Sequence, residues 1–173
     1  PARTAGLSSR AVRLPVEALT RAAFAPYGEV IEADAGAATI AINAGTAQRH
    51  DALAEVDATH AGGRAVISHV RAQPRALPCT VQMLERHPLG SQAFVPLDPA
   101  QRYLVVVASA IDAMPRAFLA TNGQGVNYRR GTWHHPLLAL DRVGDFLVVD
   151  RAGPGDNCEE AALPQAWELR LPA

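Results

Sequence analysis

Residues 123–140, GQGVNYRRGTWHHPLLAL, combine the strand pattern and the polar cluster around which the chain is organised. The adjacent His134 and His135 are followed by Pro136 and by the apolar residues 137–140, which is typical of polar groups at the entrance of a buried strand. Two adjacent arginines precede them, and strands of a plain core rarely tolerate such a pair. We therefore predict a functional site in this segment.

The composition indicates one domain with its own core. A chain of 173 residues needs no disulfides or structural metals to bury a core. Its net charge is -1, from 16 basic and 17 acidic residues without a basic stripe, which argues against nucleic acid or an anionic membrane as partner. No apolar run reaches the roughly 20 residues of a membrane span. The two cysteines stand in no ligand spacing, which favours a reducing, cytoplasmic location.

Short strand patterns dominate the chain. We expect residues 1–13 to be a flexible extension and residues 14–173 to form a single domain. An amphipathic helix is predicted between Pro15 and Pro26, and residues 159–171 predict a helical turn and an edge strand. Strands are predicted at residues 29–32, 39–43, 65–71, 80–87, 91–97, 102–108, 117–120 and 146–150. This pattern predicts a mainly β fold, a sandwich or barrel with a short N-terminal helix.

The strand predicted at residues 80–87 ends in polar residues. Strand periodicity places Val81, Met83, Glu85 and His87 on one face. An apolar start that ends in a carboxylate and an imidazole is typical of a barrel wall rising from its floor to the mouth of a cavity. The alternative is that Glu85 only pairs with an arginine at the strand end.

The strand predicted at residues 65–71 has the same form. Its residues His69 and Arg71 share one face. If that face points inward, Arg71 could bind a substrate carboxylate through both of its terminal donors. If it points outward, both residues belong to the surface.

These polar regions together resemble the cupin pattern. Residues 123–134 align with its second motif and end on His134, while its first motif aligns as Glu85, His87 and, after four residues, Gln92. The resemblance implies a cupin-like (RmlC-like) β-barrel. It also implies an altered site for a divalent transition metal, formed by Glu85, His87, Gln92 and His134.

Five further strings resemble the ureidoglycolate lyase family. They are RAQP (71–74), LERHPLGSQAFVPL (84–97), GQGVNYRRGTWHHPL (123–137), DFLVVDR (145–151) and GDNCEE (155–160). The resemblance implies a homodimeric, cytoplasmic enzyme of purine breakdown through allantoin. Its reaction would split (S)-ureidoglycolate into glyoxylate and urea. The family resemblance implies nickel as the metal, although the altered ligand set also suits a metal-free enzyme.

The chemistry of this substrate can be matched to residue types. Cleavage needs a base for the hydroxyl proton, a proton donor for the departing urea nitrogen and a cation for the carboxylate. We assign His134 or Glu85 as the base, and His87 as a metal ligand or as the proton donor. Arg71 or Arg130 would hold the carboxylate, with Asn127 or Gln92 bonding the ureido group.

Further residues are expected in or near the cavity. The full set of candidate substrate-binding residues is Arg71, Arg130, Asn127, Gln92, Tyr128, Trp133 and His135. The aromatic members are expected to line the wall, and the register of the cupin match favours His134 over His135 as the inward histidine. Asp145 and Asp150, which bracket a core strand, are expected to cap turns, and GDNCEE is expected to form a local turn or a dimer contact.

Two alternatives remain at this point. A ureidoglycolate amidohydrolase would act on the same molecule and release ammonia, but its hydrolytic water usually needs a well-liganded metal. A non-catalytic cupin that binds a small acid, or a metal-dependent isomerase of the same fold, is the other.

Overall fold

The structure is a computed structural model that describes residues 11–33 and 39–171. Most of these residues form strands. The strands are β1 (Val12–Leu14), β2 (Val16–Ala18), β3 (Gly28–Ile31), β4 (Thr39–Ile42), β5 (Ala47–His50), β6 (Arg64–Ala72), β7 (Cys79–Arg86), β8 (Gln92–Pro96), β9 (Tyr103–Ala108), β10 (Arg116–Ala120), β11 (Gly125–Tyr128), β12 (Trp133–His134), β13 (Leu138–Ala139), β14 (Gly144–Ala152) and β15 (Glu159–Leu169).

Helix is confined to single turns in the described ranges. The α-helix α1 spans Arg21–Phe24, and two 3₁₀ turns span Asn43–Gly45 and His60–Gly62. None of the described helices is long and apolar enough to cross a membrane.

Three sheets organise the strands. The large sheet has the order β1-β15-β7-β12-β9-β10-β2, and β13 pairs with β9 beside this path. The second sheet has the order β3-β11-β8-β14-β6, and β4 and β5 form a separate hairpin. Most pairs are antiparallel, while β1 with β15 and β2 with β10 are parallel. The mainly β, cupin-like fold is therefore confirmed.

The main core lies between the large sheet and the five-stranded sheet. Aromatic and branched residues of both sheets meet there, and α1 contributes Phe24. Strand β9 sits between two cores, because Tyr103, Val105 and Val107 face this interior while Leu104 and Val106 face a second cluster on the other side of the large sheet. All six residues of β9 are buried, which explains why its sequence is almost continuously apolar.

The N-terminal region departs from the predicted helix. Val16 to Ala18 form β2 instead, in parallel register with Ala117 to Leu119 of β10. Helix begins only after Thr20, whose side-chain oxygen accepts a hydrogen bond from the Ala23 N–H at 3.2 Å. The predicted helix was therefore too long, because pairing with β10 outweighed the helical spacing of small residues.

The first and last strands of the described residues both belong to the large sheet. Residues 1–10 of the predicted extension lie outside the described residues, but Val12 and Arg13 form β1 with Leu14 and pair with β15. The predicted strand at the C-terminus is confirmed, but the predicted helical turn is not present in residues 159–169 and the strand is not at an edge. Residues 159–169 form one long strand, and β1 covers its outer side.

Strand β7 does not alternate as regularly as predicted. Val81 packs with Leu84 in the second core, on the opposite side from the interior that Glu85 faces. The partner strand β15 is irregular between Ala162 and Trp167, opposite Gln82, so the two strands do not keep a regular register between Val81 and Met83. The predicted common face of Val81 and Glu85 was therefore wrong.

Candidate active site

The registers of three strands bring a histidine and a glutamate together. His134 of β12 lies opposite Glu85 of β7 on one side and Val107 of β9 on the other. Directly opposed residues share a sheet face, so the buried face of Val107 assigns His134 and Glu85 to the barrel interior. His87 follows two residues after Glu85, and its ring centroid lies 5.2 Å from that of His134.

Both imidazoles are held by a backbone carbonyl. The Nδ1 of His87 lies 2.5 Å from the carbonyl oxygen of Asn157, and the Nδ1 of His134 lies 2.9 Å from that of Thr132. A carbonyl only accepts, so each Nδ1 carries a proton and each neutral ring presents a lone pair on Nε2. Both Nε2 atoms are buried and have no hydrogen-bond partner among the described residues.

Glu85 faces one of these open nitrogens. Its Oε1 lies 3.5 Å from the Nε2 of His134, whose side chain is 2% exposed. Interaction with His134 lowers the pKa of Glu85, although burial raises it, with smaller contributions from the charges of His87 and His135. A carboxylate and an imidazole lone pair repel each other, so the arrangement requires a proton or a cation between them.

These three side chains fit a metal ion. The ligand atoms of Glu85, His87 and His134 all lie within 4.8 Å of one another. Two imidazoles and one carboxylate suit a divalent transition metal, and histidine ligands usually donate their second ring N–H to a carbonyl, as both do here. The two unpartnered Nε2 atoms are thus the atoms that a metal would use.

A cavity of about 320 Å³ opens beside His87. Gln92 projects into it because Gln92 lies opposite the inward Tyr128 in the pair of β8 and β11. The Oε1 of Gln92 is buried without a partner in the described part of the chain. The lining residues are His87, Ser91, Gln92, Asp150, Arg151, Asp156, Asn157 and Cys158.

Asp150 belongs to this cavity and was missed as a site residue. It was predicted to cap a turn, with Asp145, but both lie within β14. Burial raises the pKa of Asp150, while the charge of His87 and a hydrogen bond with Gln92 act in the opposite direction. The alternation of side chains along β14 could have identified it. Phe146 and Val148 are interior residues, and Asp150 continues their period of two.

The GDNCEE string forms one wall of the cavity. Asn157 accepts a hydrogen bond on Oδ1 from the Leu89 N–H at 2.8 Å, and its carbonyl holds His87. Cys158 lines the cavity, and burial raises the pKa of its thiol. The string therefore positions a histidine of the cluster as well as forming a turn.

The two aromatic candidates lie on opposite sides of the large sheet. The Tyr128 ring stacks on His134 with centroids 4.1 Å apart, and burial raises the pKa of its hydroxyl. Trp133 instead packs against the second core, with the Arg86 guanidinium 4.7 Å from its ring centroid. Adjacent residues of a strand face opposite sides, and His134 faces the interior. The prediction that Trp133 lines the interior is therefore not met.

Two predicted substrate-binding residues are not brought to the cavity. Asn127 lies on the outer face of the five-stranded sheet, in the pair with Ala93. Arg71 lies on β6 and forms an exposed ion pair with Asp145 at 2.8 Å. In the pair of β14 and β6, the cavity residue Asp150 lies opposite Val66. Arg71 lies roughly 17 Å further along β6, at about 3.3 Å per residue.

Arg130 and His135 lie near the cluster. Arg130 is half-exposed, with its Nε 3.3 Å from the Asp57 carboxylate, and the next residue, Gly131, donates its N–H to the His87 carbonyl at 2.9 Å. His135 bonds through Nδ1 to the Pro136 carbonyl, and burial lowers its pKa.

A larger cavity of about 600 Å³ lies elsewhere on the large sheet. Its lining residues are Pro74, Arg75, Ala76, Leu77, Pro78, Leu140, Asp141, Arg170 and Leu171. No group of three potential ligands among the described residues falls in it. The smaller cavity, which adjoins the two histidines and Glu85, is therefore the candidate site.

Comparison with known proteins gives the family of the chain. The family model described as ureidoglycolate lyase matches residues 11–170. The ureidoglycolate lyase of Burkholderia cepacia is 55% identical over 161 residues, which cover 91% of this chain and 90% of that protein. The ureidoglycolate lyase of Rhizobium etli strain CIAT 652 is 49% identical over 163 residues, covering 92% and 97% of the two chains. A similar relative, the ureidoglycolate lyase of Brucella melitensis biotype 2, is 55% identical over 150 residues, covering 85% and 88%. The chain therefore belongs to the ureidoglycolate lyase family.

Proposed function

We propose that the chain is a ureidoglycolate lyase, a carbon–nitrogen lyase that converts (S)-ureidoglycolate into glyoxylate and urea. The observation that carries the proposal is the pair of buried, unpartnered Nε2 atoms on His87 and His134 beside the Glu85 carboxylate. Their fixed tautomers make them ready to accept or return a proton in a site sheltered from water.

The reaction needs only proton transfers and one bond cleavage. The Nε2 of His134 takes the proton of the substrate hydroxyl, and the carbon–oxygen double bond of glyoxylate forms as the carbon–nitrogen bond breaks. The proton taken from the hydroxyl is the one that the urea nitrogen needs: it returns from His134 directly or through the Nε2 of His87, so that both rings end the cycle neutral. Glu85 stabilises the imidazolium of His134, because its carboxylate lies 3.5 Å away.

The substrate's polar groups have counterparts around the cavity. Gln92 offers a buried, unpartnered Oε1 that would accept a hydrogen bond from the ureido group. Arg130 contacts Asp57 at 3.3 Å and precedes Gly131, whose N–H donates to the His87 carbonyl, so it is better placed than Arg71 to hold the carboxylate. No covalent nucleophile is required.

Glu85, His87 and His134 would hold a divalent metal, with Gln92 as a further oxygen donor and nickel as the expectation from family resemblance. Such an ion would lower the pKa of the substrate hydroxyl. His134 cannot be a ligand and a base through the same nitrogen, so the dependence of the rate on added metal distinguishes the two roles.

The proposal includes a homodimer in the cytoplasm, acting in the breakdown of purines through allantoin. A dimer is supported by β6, a nine-residue strand that pairs only with β14 among the described residues. Its Ile67 is 71% exposed, and a long open edge with an apolar side chain is suited to pairing with a second copy. We expect Ile67→Arg to shift the molecular mass measured by light scattering from dimer to monomer.

The test of the activity is to treat the purified protein with a chelator and to add racemic ureidoglycolate. Urea and ammonia are then measured in parallel, with and without nickel or manganese. Urea without ammonia is the expected result. Ammonia would instead identify an amidohydrolase, and neither product under any condition would favour a cupin that only binds a small acid.

The matched variants are His87→Gln and His69→Gln. Both remove one imidazole, but His69 is an exposed residue of β6 that contacts Asp145. Loss of urea release in the first variant alone would tie the activity to the cluster. Equal loss in both would contradict the assigned site.

A further inference from the structure

The outer face of the five-stranded sheet carries a buried polar side chain that the proposed reaction does not use. Asn127 of β11 is 1% exposed, and its Oδ1 has no hydrogen-bond partner in the described part of the chain. Its Nδ2 donates to the Glu29 carboxylate at 2.8 Å and to the Glu55 carbonyl at 3.0 Å. Because a carboxylate and a carbonyl only accept, the orientation of the amide is fixed and its oxygen is left without a donor.

This oxygen faces a cavity of about 280 Å³ between the sheet and the segment that follows β5. Asn127 lines the cavity, whereas Glu29 and Glu55, which hold its nitrogen, do not. The oxygen end of the amide is therefore the end turned toward the cavity. The lining residues are Ile31, His50, Ala52, Leu53, Ala54, Val56, Ala93, Val95, Asn127 and Val149.

A second unpartnered atom belongs to the same cavity. The Nδ1 of His50, at the end of β5, is buried and has no hydrogen-bond partner within residues 11–33 and 39–171. Proteins rarely leave a buried donor or acceptor unpaired, because its lost hydration is then not replaced. Two such atoms on one cavity therefore indicate a polar partner that both of them share.

The walls of the cavity decide the chemical class of this partner. Eight of the ten lining residues are apolar, and His50 is the only one of the ten that can carry a charge. A carboxylate would lose its hydration there without gaining an arginine or a lysine. The cavity therefore suits a neutral molecule with an apolar body and an N–H group, and it does not suit ureidoglycolate or glyoxylate.

We propose that this cavity is a binding site for a small neutral primary amide, separate from the catalytic cluster. One amide N–H donates to the Oδ1 of Asn127. The Nδ1 of His50 accepts the second N–H or, in the other tautomer, donates to the amide carbonyl. Asn127 alternates with the inward Val126 and Tyr128, so the site lies on the opposite face of the sheet from the barrel interior.

The test uses para-fluorobenzamide as the probe, with the full chain, and follows the fluorine resonance of the probe during a titration. This readout is independent of any lyase activity. The matched probe is para-fluorobenzoate, which keeps the ring but has a charged acceptor in place of the amide donors. We expect saturable binding of the amide and at least about tenfold weaker binding of the benzoate, because the latter leaves the Asn127 oxygen unpaired. Equal affinities at this site, or no binding of the amide, would overturn the proposal.

A pair of variants assigns the binding to this cavity. Ala54→Phe places a ring in the cavity and should abolish binding of the amide. Ala100→Phe is the matched control, since Ala100 is exposed in the loop between β8 and β9, and it should leave the affinity unchanged. Only binding that Ala54→Phe removes counts as binding at this site. Full binding in a folded Ala54→Phe variant would refute the assignment.

A second pair tests the polar contact of the imidazole. His50→Phe keeps a planar ring but removes the Nδ1, so the amide should bind at least about tenfold more weakly. His60→Phe is the control, because the His60 side chain is exposed in a 3₁₀ turn and does not line the cavity. Equal affinities in the two variants would contradict the assigned site. Thermal unfolding of each variant checks that the chain is folded.

Discussion

The two faces of residues 125–134 differ in how their polar side chains are satisfied. On the outer face, the Nδ2 of Asn127 donates to the Glu29 carboxylate at 2.8 Å and to the Glu55 carbonyl at 3.0 Å, leaving only its Oδ1 open. Arg129 reaches the same carboxylate at 3.1 Å. On the inner face, the Nε2 of His134 has no hydrogen-bond partner among the described residues.

This difference separates two kinds of polar residue, one on β11 and one on β12. Buried polar groups in folded proteins are nearly always hydrogen-bonded, so the two hydrogen bonds that the Nδ2 of Asn127 donates contribute to the fold. An imidazole that is fixed on one nitrogen and open on the other is available to a proton, a metal or a substrate. Four variants test the comparison.

The largest effect is expected from His134→Gln. It removes the inner-face Nε2 while keeping a polar side chain of similar reach, and the rate of urea release should fall at least about 10²-fold if this nitrogen is the general base. The measurement is the steady-state rate, with thermal unfolding as the check on folding. Near-normal turnover in a folded variant would refute the role.

Asn127→Ala should produce the opposite pattern. It removes the side-chain N–H groups that donate to the Glu29 carboxylate and the Glu55 carbonyl on the outer face. The free energy of unfolding should therefore fall by about 1–3 kcal/mol. Turnover per folded molecule should stay close to that of the wild type. A large loss of rate without loss of stability would instead make Asn127 a substrate-binding residue.

His135→Gln tests the histidine beside the cluster through pH. Burial lowers the pKa of His135 below 6.5, so the unfolded chain binds more protons in the window below that value. Stability contributed by the neutral ring is complete above pH 6.5 and is lost as the pH falls. Urea denaturation should therefore show a smaller loss of stability between neutral and mildly acidic pH in the variant. Parallel curves for the two proteins would contradict this account.

The smallest effect is expected from Arg71→Ala. Its ion pair with Asp145 is exposed, and such pairs contribute little to stability. Because Arg71 lies far along β6 from the cavity, both the unfolding midpoint and the KM of the substrate should stay unchanged within error. A marked rise in KM would restore Arg71 as the residue that holds the carboxylate.

Period-two alternation was sufficient for most of the fold. It located β3, β6, β7, β8 and β14 to within a few residues, because one side of each strand packs in a core, while β9 was located by its continuous apolar run between two cores. It failed at Val16–Ala18, whose small residues have helical spacing but pair with β10, and at the irregular stretch of β15. Both errors come from contacts between residues far apart in the chain.

The site could be predicted in part. Glu85, His87 and His134 were identified from their spacing, and Gln92 from its place after them. Asn127 and Arg71 were chosen by residue type, which does not reveal the face of the sheet or the end of the strand on which a side chain lies.

The sequence by itself determined the mainly β fold, the family and the residue types of the cluster, since these follow from local alternation and from motifs within single segments. Only the tertiary structure decided which polar groups meet. The register of β12 between β7 and β9 turns His134 rather than Trp133 inward, and the loop before β15 brings the Asn157 carbonyl to His87. Strand register and loop packing depend on long-range pairing, so no local pattern specifies them.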